Sequence, residues 1–415
     1  MKRPERVAPV AKAEPDKCKE LSSLHRKTTG RFGAYILSEG ICADPASFTS
    51  VWIRCISFTC LYRSAFKCKK NVMWKRSVAG YMANVLQNSL RLHDELMSLS
   101  YRLSPYTIFW VHERKLRMIV ATKMRDRVVQ RSICKNYLYE AVTRHFIYDN
   151  AACQVGKGTD FARSRLVHHL EAYYGRTGSN HGYVLMIDLH DYFGSTRHDM
   201  ANAVIRKYID DPFVYAYVCM VIDSFDVVNP GVGIGLGSEL SQLIQLAILD
   251  AEDHFIKEFL HIKGYVRYMD DLVLIHEDRE YLMYCRDLIE ARINAKGLEL
   301  NKKKTHIQPL CDYINFLGFR YKLMTNGRVD IKLIHTRISR ERRRIKEHVR
   351  LVSEGRMTVK DARESLTCFK AHASKGNCEG LIRQMEEYFE RTMKGAENVK
   401  NQDTRTADDQ AGKRK

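Results

Sequence analysis

The sequence predicts an α+β or α/β fold, on three observations. Apolar residues recur at three- and four-residue steps over residues 77–103 and elsewhere, the signature of amphipathic helices. Short apolar runs such as Tyr183–Ile187 read as buried strands. Strands and helices are mixed along the chain, and the long helices argue against an all-β barrel. At 415 residues the chain exceeds one ordinary core and suggests two or three packed units.

Each element follows in order. Residues 1–25 are charged and poor in aromatics, which predicts a disordered basic tail. Residues 77–103 predict a helix, Phe109–Thr122 paired strands, and Arg125–Val142 another helix. Residues 156–160 (GKGTD) read as a turn and Phe161–Tyr174 as a helix. GKGT lacks the first glycine that a phosphate-binding loop requires at that spacing. Tyr183–Asp188 is a strand ending in a carboxylate, and Ser241–Leu260 a helix. Gly264–Glu277 reads as a hairpin around Met269-Asp270-Asp271. Tyr281–Lys296 is a helix, Ile314–Leu323 is extended, and Lys332–Glu354 is a very basic helix beside a second helical segment, Leu366–Tyr388. The end, from about residue 394, again reads as disordered. No internal repeat is visible.

Composition narrows the function. Lys and Arg total 68 against 49 Asp and Glu, a formal charge of +19, which favours a polyanionic partner, nucleic acid first. No apolar run approaches the ~18–20 residues of a spanning helix. The N-terminus lacks the apolar region of a secretory signal, so a cytoplasmic location without a membrane partner is expected. Twelve cysteines are scattered without CxxC-like pairs; Cys55, Cys60 and Cys68 come nearest to a cluster, and reduced, mostly buried thiols are expected. His168, His169, His181, His190 and His198 lack a helical ligand pair with a third acid and read as surface or core. Lys67–Arg76, with Trp74 inside a charge cluster, reads either as an RNA-binding segment or as a packed tryptophan with charged neighbours.

The carboxylates carry the most information. Adjacent Asp270 and Asp271 are poor strand residues but suit a hairpin tip. Asp188 ends a fully apolar strand. Three carboxylates at neighbouring strand ends repel unless cations sit among them. Two Mg²⁺ sharing oxygen ligands with substrate phosphates would activate an attacking 3′-oxygen and stabilise leaving pyrophosphate.

At this point the sequence resembles the bacterial reverse transcriptases. MIDLHDYF at 186–193, GIGLGSELSQ at 233–242, YMDD at 268–271, LELNKKKT at 298–305 and NFLGF at 315–319 are similar to the family's ordered motifs A to E. RMIVATKMRDRVVQ at 117–130 and FIYDNAACQVGKGT at 146–159 resemble the family's fingers. The resemblance implies a right-hand polymerase fold, α+β, with an antiparallel palm sheet backed by helices. It implies fingers with an N-terminal extension over 26–180, a palm over 181–322, a basic helical thumb over 323–393, and a disordered tail over 394–415.

The resemblance also implies roles. Asp188, Asp270 and Asp271 would be catalytic and would hold two Mg²⁺, with Mn²⁺ able to substitute and the Leu189 carbonyl completing a shell. Phe193 would exclude a 2′-hydroxyl; its alternative is simple core packing. Arg117, Asp191, Leu236, Gln242 and Lys304 would join Phe193 around the incoming nucleotide, Arg117 on the triphosphate and Lys304 near the pyrophosphate. A solvated basic face is the alternative for Arg117 and Lys304. Phe316, Leu317 and Gly318 would grip the primer. Arg337, Arg340, Arg344 and Lys346, on the basic helix, would contact phosphates without reading sequence.

Motif B departs from the family. Most relatives read QGxxxSP, whereas this chain reads Leu236-Gly237 followed by Ser241-Gln242. Leucine keeps the packing and loses the polar contact, which predicts reduced fidelity. The LGxxxSQ form resembles diversity-generating retroelement enzymes, which copy a structured template RNA with errors at adenines. The Ser-Gln ending also resembles some antiviral defence enzymes, which implies untemplated or repetitive DNA synthesis. An RNA-binding protein with this fold and no catalysis is the third reading, and the intact aspartates weigh against it. The implied partners are template RNA, cDNA, dNTPs and an accessory protein, in the bacterial cytoplasm.

Overall fold

A computed structural model describes residues 31–412, apart from 113–115 and 227–228, with side chains to residue 395. The expected N-terminal tail, residues 1–25, lies outside the described residues. The chain divides into two units. The first comprises Met1–Ala162, Met186–Val273 and Met283–His306; the second comprises Arg163–Leu185, Leu274–Leu282 and Ile307–Lys415. Most of the segments expected as fingers and palm fall together in the first unit, and residues 323–393, the expected thumb, lie wholly in the second.

The chain begins with helices α1 (Phe32–Ser38), α2 (Ser50–Ile56), α3 (Phe58–Cys68), α4 (Arg76–Ala83) and α5 (Val85–Met97). The last two occupy the stretch read as one helix. Asn84, at φ −120° and ψ 40°, breaks it, and Leu99 in the left-handed region follows its end. Strands β1 (Thr107–His112) and β2 (Leu116–Ala121) pair antiparallel, with Thr107 opposite Ala121. Helix α6 (Met124–Ile133) passes through a π-turn, Cys134–Leu138, into α7 (Tyr139–Thr143).

Next come α8 (Thr159–Thr177), β3 (Tyr183–Ile187), α9 (Tyr192–Ser195), α10 (His198–Ile205) and α11 (Pro212–Asp223). Helix α11 is strongly apolar along its length. Its N-cap Asp211 accepts from Val214 N at 2.8 Å, Pro212 opens it, and Phe213 to Ile222 are all buried. Helix α1 packs on it, and Phe32, Trp52, Phe213 and Tyr217 form an aromatic core with Phe32 and Trp52 centroids 5.1 Å apart.

Helices α12 (Glu239–Ile248) and α13 (Asp250–His254) replace the single helix expected over 241–260, with a break at Leu249 (ψ 3°). Strands β4 (Gly264–Tyr268) and β5 (Asp271–His276) form the expected hairpin, followed by α14 (Arg279–Ala295) and β6 (His306–Pro309). The sheet order is β4-β5-β3-β6, so the hairpin lies beside β3.

In the second unit, β7 (Ile314–Phe316), β8 (Phe319–Leu323) and β9 (Val329–Leu333) form an antiparallel sheet, with Phe316 opposite Phe319 and Phe319 opposite Leu333. Strand β9 takes the first residues of the stretch read as a basic helix, which starts later as α15 (His335–Ser353). Helices α16 (Val359–Ala373) and α17 (Glu379–Gly412) pack on α15. Helix α17 continues through residues 394–412, which the sequence reads as disordered. That stretch has no proline, and its glycines cost only about 1 kcal/mol each within a helix.

Candidate active site

Strand β3 is buried at Val184, Leu185 and Ile187, and Asp188 follows it directly. Beyond Asp188 the chain makes one antiparallel bridge, Leu189 opposite Leu300. Asn301 N donates to the Asp188 carbonyl at 2.7 Å, and His190 N to the Glu299 carbonyl at 2.8 Å. This short pairing brings residues 299–305 to the carboxylate. Lys304 Nζ then donates to Asp188 Oδ1 at 2.6 Å, and Asn301 Nδ2 to Oδ2 at 3.0 Å.

Asp270 and Asp271 occupy the tip of the β4–β5 hairpin. Met269, just before them, sits in the left-handed region at φ 56°, a conformation rare outside glycine. Its carbonyl accepts from Arg267 Nη1 at 3.0 Å. Arg267 is fully buried and bonds Asp253 with two nitrogens, Nε to Oδ1 at 2.7 Å and Nη2 to Oδ2 at 2.6 Å. Nη2 also donates to the Leu246 carbonyl at 3.2 Å, and the Tyr265 hydroxyl donates to Asp253 Oδ1 at 2.6 Å. Burial opposes the guanidinium charge; the Asp253 carboxylate outweighs it and holds the pKa above its ordinary value. The backbone of Arg267 is tied as well, donating to the Asp149 carbonyl at 3.1 Å and accepting from Ala151 N at 2.9 Å. Arg267 therefore links the hairpin, helix α13 and residues 149–151.

The three carboxylates act on one another. Burial, then the neighbouring Asp270 and Asp188, push Asp271 up to about 7. Burial and Asp188 also raise Asp270; Lys304 and Arg117 act the other way. Arg117, exposed on β2 opposite Val111, thus lies within electrostatic reach of Asp270. Asp188, Asp270, Asp271, Lys304 and Arg117 come together in the first unit.

Phe193 is half-buried on the short helix α9, and its ring meets Tyr192 edge-on with centroids 5.9 Å apart. Its carbonyl accepts from Ile234 N at 2.8 Å, which ties the segment of Asp188 to that of Leu236. Tyr192 is the buried neighbour, with its hydroxyl donating to the Gln245 carbonyl at 2.5 Å. Asp191 is exposed and left-handed, at φ 40°. Leu236 and Gln242 are half-buried. Gly235 precedes Leu236 where a Cβ would fall 2.3 Å from the Phe225 ring, so only glycine fits without moving that ring. Ser238 caps α12 and donates to Gln130 Oε1 at 3.0 Å, while Arg131 pairs with Glu239 at 2.5 Å. These contacts tie α12 to α6.

The remaining candidates belong to the second unit. Phe316 is buried in the β7–β8 pair as core, and only the turn residues Leu317 and Gly318 reach the surface in part. Both are left-handed, and a Cβ on Gly318 would fall 2.6 Å from the Arg337 guanidinium. Arg337 is held within its own unit, with Nη1 donating to His372 Nε2 at 2.8 Å. Burial and the neighbouring arginines lower the His372 pKa, which suits a neutral, accepting imidazole. Arg344 bonds Ser365 Oγ from Nε at 2.9 Å on the surface, and Arg340, Arg344 and Lys346 are the exposed members of the expected set. Arg342, Arg343 and Lys346 line a groove of about 540 Å³ between α15 and α17, faced by Tyr388 and Arg391.

Sequence reasoning missed Asn301, Arg267 and Asp253. Asn301 stood inside the LELNKKKT motif, which was its only signal. Arg267 precedes the YMDD box, but its partner is 14 residues away, and nothing local predicts that pairing.

Among the described residues no group of three or more His, Cys, Asp or Glu is arranged to hold a metal ion. At the candidate site Lys304 and Asn301 occupy both Asp188 oxygens. The donor chemistry nevertheless fits hard divalent cations. The acids are oxygen donors, and they are crowded enough to push one of them up to about 7.

The family model described as reverse transcriptase (RNA-dependent DNA polymerase) matches residues 112–321. No curated protein matches the chain. Among solved structures, telomerase from Candida albicans in complex with a fragment of telomeric RNA is 12% identical with a TM-score of 0.45, over 70% of this chain and 54% of that one. Apo telomerase from Candida tropicalis is 12% identical with a TM-score of 0.42, over 71% of this chain and 63% of that one. A form of the same enzyme truncated of its C-terminal domain is 12% identical with a TM-score of 0.42, over 55% of this chain and 54% of that one. The chain thus spans less than two thirds of these telomerase chains. The family match covers half of the chain, from the end of β1 into β8, and includes Asp188, Asp270, Asp271 and Lys304; the chain belongs to the reverse transcriptase family.

Proposed function

We propose that this chain copies an RNA template into DNA by nucleotidyl transfer at Asp188, Asp270 and Asp271, with low fidelity, as an enzyme of the diversity-generating retroelement type. The primer 3′-oxygen attacks the α-phosphorus of a dNTP. A new P–O bond forms, the bond to the β-phosphate oxygen breaks, pyrophosphate leaves, and the 3′-hydroxyl proton passes to solvent. Two Mg²⁺, when bound, supply Lewis-acid stabilisation of the attacking and leaving oxygens. The observation that carries the reading is the crowded carboxylate cluster, with Asp271 pushed up to about 7 by burial, Asp270 and Asp188.

The chain's own groups have distinct tasks. Asp188 and Asp270 hold negative charge where cations gather, and the Leu189 carbonyl adds an oxygen donor. Lys304 is 58% exposed on its side chain, so it is free to leave Asp188 and meet the charge of the leaving pyrophosphate. Arg117 meets the triphosphate. The half-buried Phe193 sets the space available at the sugar. Leu236, where most relatives carry glutamine, offers shape without a hydrogen bond and relaxes discrimination.

The test is to purify the protein with its bound RNA and sequence that RNA and any cDNA, beside Asp270→Ala. The expected result is metal-dependent cDNA from one structured RNA, with errors clustered at adenines and none made by the variant. The Ser241-Gln242 ending supports a second reading, an antiviral defence enzyme. Faithful, repetitive or untemplated DNA would favour it over the first. Equal DNA from both proteins would overturn the assignment of the site.

A further inference from the structure

From Pro45 to His93 the chain contains eight Lys or Arg and no Asp or Glu. The stretch precedes the family-matched residues 112–321 and plays no part in the site above. It forms a firmly seated surface. Helix α3 buries Leu61, Ser64 and Ala65 against α5 and α6, and the small Ser64 and Ala65 let the helices approach closely. Its other face carries Phe58, Tyr62 and Phe66 at four-residue steps. Their rings form a continuous row, with centroids 5.8 Å apart for Phe58 and Tyr62 and 5.0 Å for Tyr62 and Phe66. Arg63, Lys67 and Lys70 are exposed along the same helix and its end.

The turn that follows extends this surface. Asn71 is left-handed at φ 63°, and Met73 and Trp74 stand 45% and 65% exposed. Lys69 Nζ lies 4.1 Å from the Phe66 ring centroid, and Lys75 Nζ 5.3 Å from that of Trp74. Exposed aromatic faces interleaved with cations, with no acid among them, match the chemistry of an unpaired nucleic-acid strand. Every base has a face to stack, and every phosphate needs a cation.

We propose that the outward face of α3 and the Asn71–Arg76 turn bind a single-stranded segment of RNA, stacking bases on Phe66 and Trp74 and pairing phosphates with Lys67, Lys69, Lys70 and Lys75. An anionic membrane surface is disfavoured. A helix lying in a membrane interface segregates a continuous apolar face from its cations. Here Arg63 and Lys67 flank Phe66 in sequence and Lys69 sits over its ring, so burying the aromatic row would desolvate the charges.

The experiment uses the full chain and a uridine homopolymer of about 16 nucleotides, with 4-thiouridine for cross-linking. The expected wild-type result is cross-linking to peptides within residues 58–76. Phe66→Ala with Trp74→Ala should weaken binding by roughly tenfold or more and abolish those cross-links. Trp74→Phe should bind as wild type does. Replacing Lys67, Lys69, Lys70 and Lys75 by Gln should flatten the dependence of log affinity on log salt by roughly 0.7 per lost phosphate contact. Extension of a saturating short primer–template should remain at the wild-type rate in each variant, which separates this surface from the catalytic site. Unchanged RNA affinity in both variants would overturn the proposal, as would cross-links confined to other peptides. So would tighter binding of a thymidine DNA homopolymer of equal length, or capture by phosphatidylserine vesicles that these substitutions abolish without affecting RNA.

Discussion

Two charged clusters share one hairpin and are built in opposite ways. Three residues before the tip, Arg267 is fully buried and bonded through all three guanidinium nitrogens, to Asp253, the Leu246 carbonyl and the Met269 carbonyl. At the tip, Asp270 and Asp271 lie beside Asp188, which Lys304 bonds. The first cluster is compensated and acts as a brace. The second crowds three carboxylates together, with Lys304 and Arg117 acting on them and Asp271 still pushed up to about 7. The contrast teaches that the paired buried charge here serves geometry, and that crowded carboxylates with raised pKa mark the place where chemistry would recruit cations.

Breaking the brace gives the largest effect on the fold. Asp253→Ala leaves Arg267 buried without its carboxylate and should cost about 3–5 kcal/mol in denaturant unfolding. Replacing both partners, with Arg267→Met and Asp253→Leu, should recover most of that stability. It would still remove the donation to the Met269 carbonyl, so extension should stay low in the double variant. Recovery of stability and extension together would show that the pair does not position the tip.

Phe193→Ala sharpens the other side of the comparison, since it alters the site's shape and leaves its charge alone. Discrimination against ribonucleotides should fall by roughly tenfold to hundredfold, read as the ratio of kcat/KM for dNTP and rNTP. Asp271→Asn tests the crowding itself. A carboxyl raised from its ordinary value to about 7 favours the folded state at low pH, and that contribution is lost as pH rises towards and past 7. In metal-free buffer the variant should therefore be more stable than wild type at pH 8, on the order of 1–2 kcal/mol, and should lose that advantage below about pH 4. The smallest effect belongs to Leu236→Gln, which should lower misincorporation a few-fold with little change in the rate of correct insertion.

Much of this contrast was legible in the sequence, but only its chemical half. The YMDD hairpin announced itself through two apolar runs flanking a polar tip, and Asp188 through the apolar strand before it. The expectation of helices mixed with antiparallel sheets stands, as the polymerase fold of the family. The brace stayed hidden because Arg267 and Asp253 meet only in the folded chain. The helices over residues 32–68 received no assignment from sequence, although Trp52 and Phe32 anchor the core there. Local periodicity also fused α4 with α5 and α12 with α13, because Asn84 and Leu249 are ordinary helix-compatible residues whose breaks depend on packing. In the basic helix, sequence supplied the charges without their partners. Arg337 bonds the half-buried His372, Arg344 bonds Ser365 at the surface, and Arg342 and Arg343 face a groove.

The most direct measurement is single-nucleotide extension of a DNA primer on an RNA template across a Mg²⁺ titration, for wild type and Asp270→Ala at matched folded fraction. The carboxylate account predicts extension that depends on Mg²⁺ in wild type and falls by about 10³-fold or more in the variant. A variant that extends at the wild-type rate, with the same dependence on Mg²⁺, would contradict it.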